Sequence, residues 1–141
     1  MEMSFEHRIQ RFIANSFSVG IVRRMGPAGT LGAGQGFLKD LDLAAISKTL
    51  PDRFPHLLDH RTERLRECIG GEKPWGAARK CLNLFFRDAL YSHYLRKHYG
   101  LAKFERYLEI PLDSYVGKRL KREPEGADLP AWKNVKGLRQ N

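Results

Sequence analysis

The longest periodic segment of the chain, residues 77–99, places its apolar side chains at helical spacing. Its apolar stripe consists of Cys81, Leu82, Phe85, Ala89 and Leu90. No part of the sequence shows the alternation of apolar and polar residues that a half-buried β-strand requires. The stripe therefore predicts a central core helix, ended by Gly100, in an all-α fold.

Shorter segments with the same period lie on both sides of this helix. Ser4 is a suitable N-cap for an amphipathic helix that reaches Phe17, and Pro55 opens a helix that Gly70 and Gly71 end. Further helices are predicted at residues 37–50, 101–108 and 114–122. The predicted architecture is a compact orthogonal helical domain of about six or seven helices.

Residues 26–36 read GPAGTLGAGQG, which is too rich in glycine for the interior of a helix or a strand. We therefore predict a loop there. The glycines have neither the GxxxxGK[ST] nor the GxGxxG spacing of phosphate-binding loops, and no β-branched strand precedes them. The expected role of this segment is a surface connection.

Positive charge is concentrated in the second half of the chain. The 141 residues have a net charge of +9. Residues 1–74 hold 11 basic and 9 acidic side chains, whereas residues 75–141 hold 14 and 7. A positive face attracts a polyanion by counterion release, so nucleic acid is the expected partner and an anionic membrane a weaker one. Plain solubility is the alternative explanation of the charge.

Length and polarity limit the other classes of protein. No apolar run approaches the ~18 residues needed to cross a bilayer, and residues 1–17 lack the apolar stretch of a signal peptide. A cytoplasmic location is expected, nucleoid-associated in a prokaryote. Cys68 and Cys81 suggest neither a zinc site nor a disulfide scaffold and are expected to be buried thiols. His56 and His60 lack enough neighbouring ligands to predict a metal.

Two segments combine a helix start with a residue of catalytic type. Gly76 precedes the long helix, and Lys80 lies one turn into it. Backbone N–H groups at a helix start bind phosphate, and a lysine amine in its neutral form is a nucleophile. Asp113 stands just before the helix predicted at residues 114–122, where the helix dipole keeps a carboxylate ionised.

At these residues the chain resembles the helix-hairpin-helix DNA glycosylase/AP lyase superfamily. There, a glycine hairpin followed by lysine precedes a proline–hydrophobic–aspartate segment that opens the next helix. Residues 76–80, GAARK, are similar to the hairpin, and residues 111–116, PLDSYV, are similar to the aspartate segment. The 33-residue separation of Lys80 and Asp113 is most similar to that of the archaeal 8-oxoguanine DNA glycosylase branch. The resemblance covers residues 60–122.

The resemblance implies a helix-hairpin-helix glycosylase-like fold and a bifunctional activity on a damaged base, such as 8-oxoguanine, in double-stranded DNA. Lys80 would attack the sugar C1′ of a nucleotide rotated out of the duplex and form a Schiff base, from which the 3′ phosphate is eliminated. Asp113 would help to deprotonate the lysine and would stabilise positive charge on the sugar. The resemblance implies no metal or organic cofactor.

Residues that flank the two reacting positions are the predicted DNA contacts. They are Trp75, Gly76, Ala78, Arg79, Lys118, Arg119, Lys121 and Arg122. The cations would bind phosphates, and the indole ring would stack on a base. Each prediction has a simpler alternative: Trp75 as a core anchor, Asp113 as an N-cap, Lys80 as a surface residue, and the basic run as a solvated face.

Two departures from the superfamily pattern leave other functions open. Ala78 stands where the hairpin has its second glycine, and the chain is short for a superfamily built from two lobes. We predict one helical domain over residues 1–141. Residues 1–60 are a candidate for a reduced second lobe, 61–122 for the helix-hairpin-helix-like part, and 123–141 for an irregular basic tail. The alternatives are a non-catalytic DNA-binding module with a glycosylase-like fold, and a helical protein-interaction domain.

Overall fold

A computed structural model describes residues 2–16, 29–69, 75–109, 114–126 and 128 of the chain. These residues form seven α-helices and three short 3-10 segments, without a strand. The α-helices are α1 (Phe5–Ser16), α2 (Thr30–Lys39), α3 (Leu43–Ser47), α4 (Phe54–Cys68), α5 (Trp75–Tyr91), α6 (His93–Tyr99) and α7 (Ser114–Leu120). The 3-10 segments are Pro51–Arg53, Leu101–Tyr107 and Pro124–Gly126. The predicted all-α class is confirmed.

Helix α5 lies at the centre of the core, where it packs against α4, α1 and α6. Four phenylalanines fill the middle of the core and are almost completely buried. Phe54 stacks on Phe104 with ring centroids 4.4 Å apart and meets Phe86 edge to face at 5.3 Å. Phe85 contacts Phe86 at 5.6 Å. One continuous cluster runs from Ile13 to Phe104, so residues on both sides of position 60 share the same core.

Polar residues define several helix ends. The amide of His7 donates to Ser4 Oγ at 3.1 Å, which confirms Ser4 as the cap of α1. At the end of α6, Gly100 adopts a left-handed conformation with φ 61°, as predicted for a C-terminal glycine. Gly70 and Gly71, predicted to end α4, lie outside the described residues, and so does Asp113.

Two helices that the periodicity predicts as continuous are each divided by a capping side chain. The segment 77–99 is divided at Ser92, whose backbone is extended and whose hydroxyl accepts from the amide of Leu95 at 3.4 Å. The segment 37–50 is divided in the same way by Asp42, which accepts from the amide of Ala45 at 2.9 Å. Serine and aspartate side chains compete with the helical hydrogen bonds of the backbone, so a stripe of apolar residues can continue across a break.

The predicted glycine-rich loop is wrong over residues 30–36, which belong to α2. This helix packs against α1 and α4, and tertiary contacts override its low intrinsic helix propensity. The buried amide of Gln10 in α1 lies 3.0, 3.2 and 2.8 Å from the carbonyl oxygens of Leu38, Lys39 and Leu41, and so binds the end of α2. Among the described glycines of this segment, only Gly29, at φ 91° before the first turn, needs the conformational freedom of glycine.

The last helix is shorter than predicted, since α7 ends at Leu120 rather than at Arg122. Most of the predicted tail, residues 129–141, lies outside the described residues. Within the described part of the chain, no helix combines the length and the apolar character needed to cross a membrane.

The helical state of the glycine-rich segment is testable with paired substitutions. Gly32→Ala and Gly36→Ala should each raise the free energy of unfolding by about 0.5–1 kcal/mol, because alanine orders a helix at lower entropic cost and a Cβ there meets no atom within 4 Å. Gly29→Ala should lower it by about 1 kcal/mol or more, because of the positive φ. Urea unfolding followed by circular dichroism measures all three; destabilisation by the first two would contradict a helix.

Candidate functional site

A buried guanidinium joins three parts of the chain next to the start of α5. The residue Arg79 is only 7% exposed. Its Nε and Nη2 donate to the two carboxylate oxygens of Glu109 at 2.8 and 2.6 Å, and Nη1 donates to Asp59 at 2.9 Å and to Thr62 at 3.2 Å. Arg79 and Glu109 thus form a bidentate salt bridge, and Asp59 is a second acid beside it. We call these residues, together with Asn83, the Arg79 cluster.

Asn83 completes the cluster from the next turn of α5. Its Nδ2 donates to Glu109 Oε2 and to the carbonyl of Arg79, both at 3.1 Å. Its Oδ1 accepts from the backbone amide of Glu109 at 3.0 Å. Both the side chain and the backbone of Glu109 are therefore bound to α5. The position of Glu109, from which the chain continues to Asp113, is fixed by these hydrogen bonds.

Both charges of the pair are stabilised in the folded protein. Burial by itself lowers the pKa of Arg79, but hydrogen bonds and charge interactions with Glu109 and Asp59 outweigh it, and the pKa is raised. The hydrogen bond from Arg79 lowers the pKa of Glu109 against the effect of partial burial, and the charge of Arg79 and the amide of Asn83 lower it further. The pair is therefore ionised at neutral pH.

The structure corrects the interpretation of Arg79 as a phosphate contact. Its guanidinium is enclosed and bound by two carboxylates of the same chain, so it is not placed to meet an external phosphate. Gly76 and Ala78 are also buried, and both lie within the first turn of α5 rather than in a turn before it. The predicted hairpin residues 76–80 are thus helical, since the apolar side of this turn packs into the core.

Trp75 is the first residue of α5 and is partly buried. The Arg79 guanidinium lies over its ring, 5.1 Å from the ring centroid. Such a cation–π contact stabilises the ring in place. The indole Nε1 is buried and has no hydrogen-bond partner among the residues that the structure describes. The contact favours the core-anchor alternative for Trp75, whose role as a stacking ring for a base stays a prediction.

Lys80 is partly exposed on the turn of α5 that carries Arg79. Beside it, Cys81 is buried, and burial raises the pKa of this thiol to about 11 against the opposing charge of Lys80. Cys68 is exposed, contrary to the expectation that both thiols are buried. Asp113, the second predicted catalytic residue, lies outside the described residues, so whether the amine and the carboxylate meet stays a prediction.

The predicted cations near α7 are all exposed. Lys118, Arg119, Lys121 and Arg122 form no ion pair with a described acid, whereas many of the arginines elsewhere do. Exposed acids follow at Glu123 and Glu125. We call residues 118–122 the cationic segment; it presents four positive charges within five residues.

The acids that bind Arg79 were not predicted from the sequence, although part of the signal was present. Arg79 lies three residues before Leu82 and four before Asn83, so it falls on the apolar stripe of α5. A buried arginine on a core-facing stripe requires a carboxylate. No local sequence pattern identifies Asp59 or Glu109 as that carboxylate. They are 20 and 30 residues away from Arg79 in the sequence, and only the fold brings them into contact with it.

Comparison with known proteins leaves the function to be argued from these side chains, because no family model, curated protein or solved structure matches the chain. Within the described ranges, no three His, Cys, Asp or Glu side chains gather in a way that could hold a metal ion.

The Arg79 cluster predicts an acid-dependent loss of stability. Because the folded pKa of Glu109 is lowered, its contribution is complete above the ordinary glutamate range and is lost as the pH falls through the folded pKa. Glu109→Gln should lower the free energy of unfolding at pH 7 by about 1–2 kcal/mol, less than for a fully buried pair since Glu109 is 46% exposed. The difference from wild type should shrink as the pH falls below the ordinary glutamate range and Glu109 becomes protonated in the folded protein.

Urea unfolding at a series of pH values measures this difference. Glu105→Gln is the matched control, because Glu105 is an exposed glutamate whose surface ion pair with Arg96 should contribute little. Equal effects of the two substitutions would contradict the structural role of the Arg79 cluster.

Proposed function

We propose that this chain is a DNA-binding protein, and the observation that carries the proposal is the cationic segment. Its four side chains are exposed and have no described acidic partner, so their charge is available to an external polyanion. Lysine and arginine bind phosphates and release the condensed counterions of the duplex. The excess of positive charge in the second half of the sequence acts in the same direction.

The distribution of ion pairs supports a binding role over plain solubility. Arg79, Arg64 and Arg96 are each neutralised by a nearby carboxylate. Residues 118–122 instead hold four basic side chains close together, none of which forms an ion pair with a described acid, and α7 places Lys118 and Arg119 in its last turn. Cations there also interact favourably with the helix dipole, which stabilises α7 without removing their charge from solvent.

Salt dependence tests the binding proposal with charge-matched variants. In Arg119→Gln/Arg122→Gln, the slope of log K against log salt for a duplex should become less steep by about 1.8, since each phosphate contact contributes about 0.9. Arg64→Gln/Arg96→Gln removes the same charge from exposed, ion-paired positions and should change the slope little. Fluorescence anisotropy across a salt series gives both slopes; equal changes would show that only net charge matters.

Base excision is a second, narrower candidate, and one specific observation favours it. The Arg79 cluster fixes Glu109 against the turn of α5 that carries Lys80. Asp113 follows Glu109 by four residues, a span that an extended chain limits to about 14 Å. The short connection from Glu109 therefore limits the distance between Asp113 and α5, the helix that carries Lys80. This limit supports the predicted pairing of Lys80 and Asp113.

The proposed chemistry needs only these two groups. Asp113 accepts a proton from the Lys80 ammonium, and the neutral amine bonds to the sugar C1′ as the bond from C1′ to the base breaks. The departing base takes a proton from the nitrogen now bonded to C1′. The protonated Asp113 carboxyl then gives its proton to O4′ as the C1′–O4′ bond breaks, which opens the ring to an iminium Schiff base. The Asp113 carboxylate removes a proton from C2′, and the C3′–O bond breaks to expel the 3′ phosphate. The carboxylate stabilises the positive charge that develops on the sugar.

Borohydride trapping tests this second candidate. With duplexes that contain 8-oxoguanine, uracil, hypoxanthine or an abasic site, wild type should give a covalent adduct and Lys80→Gln none. Lys39→Gln, at another partly exposed helical lysine, is the matched control and should leave trapping intact. An adduct that survives in Lys80→Gln would rule out this amine as the nucleophile.

Asp113→Asn separates chemistry from helix capping. The variant should retain duplex affinity and lose most of the adduct. If it only lowers the melting temperature, a structural role accounts for Asp113. Absence of an adduct with every lesion, together with salt-dependent duplex binding, would leave the DNA-binding module.

A further inference from the structure

Four exposed aromatic rings lie on one face of the molecule. Phe5 and Phe12 come from α1, and Tyr91 and Tyr94 flank the junction of α5 and α6. Together they line a single open groove. Phe12 and Tyr91 are 76% and 74% exposed, and Tyr94 and Phe5 are 57% and 47% exposed. We call these four residues the aromatic face.

The local structure explains how the aromatic face forms. Phe5, Ile9 and Phe12 follow one another at helical spacing on α1, while the buried Ile13 holds that helix to the core. The edge of the Phe5 ring meets Tyr94 with centroids 5.0 Å apart. Core packing does not account for Phe12, because three quarters of its surface faces solvent. Clustered exposed apolar side chains of this kind mark an interaction site.

The charges around the aromatic face favour an anionic occupant. Asp88, which lines the same groove, is bound by Arg87 at 2.8 Å. Glu6 lines an adjoining hollow that shares Tyr94, and it lies 3.5 Å from His98 Nδ1. Asp88 is thus paired with a cation, whereas the neighbour of Glu6 is an imidazole, which is charged only if it is protonated.

The cations beside the rings are not neutralised in this way. Lys97 lines the adjoining hollow, and Arg8 precedes Phe12 by one helical turn. Among the described residues, neither forms an ion pair. Rings with unpaired cations at their edge are the combination that holds unpaired nucleotides.

We propose that the aromatic face binds single-stranded nucleic acid. Unpaired bases stack on Phe12 and Tyr91, and the intervening phosphates pair with Arg8 and Lys97. A duplex buries the faces of its bases, so this surface distinguishes unpaired strands from the duplex that the cationic segment is proposed to bind. The inference goes beyond the proposed function and needs neither the cationic segment nor Lys80.

A labelled oligothymidylate of about 12 nucleotides tests the proposal by fluorescence anisotropy, since single-strand sites of this kind span about 4–16 nucleotides. Phe12→Ala and Tyr91→Ala should each weaken binding about fivefold or more, the loss expected for one stacked base. Both side chains are mostly exposed, so the fold should persist, as circular dichroism can verify. Leu50→Ala, at another large exposed apolar side chain that is 66% exposed, is the control and should bind as wild type does.

An abasic oligonucleotide of equal length and charge isolates the stacking contribution. It should bind wild type about as weakly as the oligothymidylate binds the Phe12→Ala/Tyr91→Ala variant. Equal wild-type affinity for the two strands would overturn the proposal, because phosphate contacts alone would then explain binding. Absence of binding to the oligothymidylate would also overturn the proposal. So would a concentration-dependent dimer in sedimentation that Phe12→Ala abolishes and oligothymidylate does not displace. That result would identify a second copy of the chain as the occupant of the aromatic face.

The two nucleic-acid proposals fail separately. A salt slope for a duplex that Arg119→Gln/Arg122→Gln leaves unchanged, alongside ring-dependent binding of oligothymidylate, would remove only the duplex proposal. The reverse pattern would remove only the aromatic face.

Discussion

The structure around α5 depends on one buried charge. Arg79 occupies a core-facing position, where an unpaired guanidinium would destabilise the fold by several kcal/mol. Its enclosure is tolerated because Asp59 from α4 and Glu109 from beyond the 3-10 segment Leu101–Tyr107 both bind it. The cluster therefore fixes the position of Glu109, from which the chain continues.

The burial of Arg79 changes the interpretation of this residue, which in the sequence resembled a DNA-binding side chain. In the sequence, Arg79 stands beside Lys80 and looks like one of two adjacent cations that face DNA. In the fold, the two are separated by burial: Arg79 is enclosed and Lys80 is partly exposed. Among the described residues, exposed positive charge without an acidic partner is found instead at residues 118–122 and beside the aromatic face.

The sequence predicted the all-α class and most helices, because apolar periodicity is local and survives in a single chain. The divisions at Ser92 and Asp42 were missed, since a capping side chain interrupts the backbone without interrupting the apolar stripe. Helix α2 was missed because its glycines disfavour a helix, and only contacts with α1 and α4 make that conformation favourable. Of the predicted site, the exposure of the cationic segment agrees with expectation, whereas the acids bound to Arg79 could not be paired without the fold.

The contact between Gln10 and the end of α2 has a consequence for dynamics. A glycine-rich helix of ten residues is unstable by itself, so α2 exists only while α1 is docked. The three carbonyl oxygens that accept from Gln10 lie between the end of α2 and the start of α3. Loss of these hydrogen bonds therefore releases α1 and α2 from each other. Helices α1 and α2 thus form one cooperative unit, whose backbone amides should exchange with deuterium together and ahead of the centre of α5.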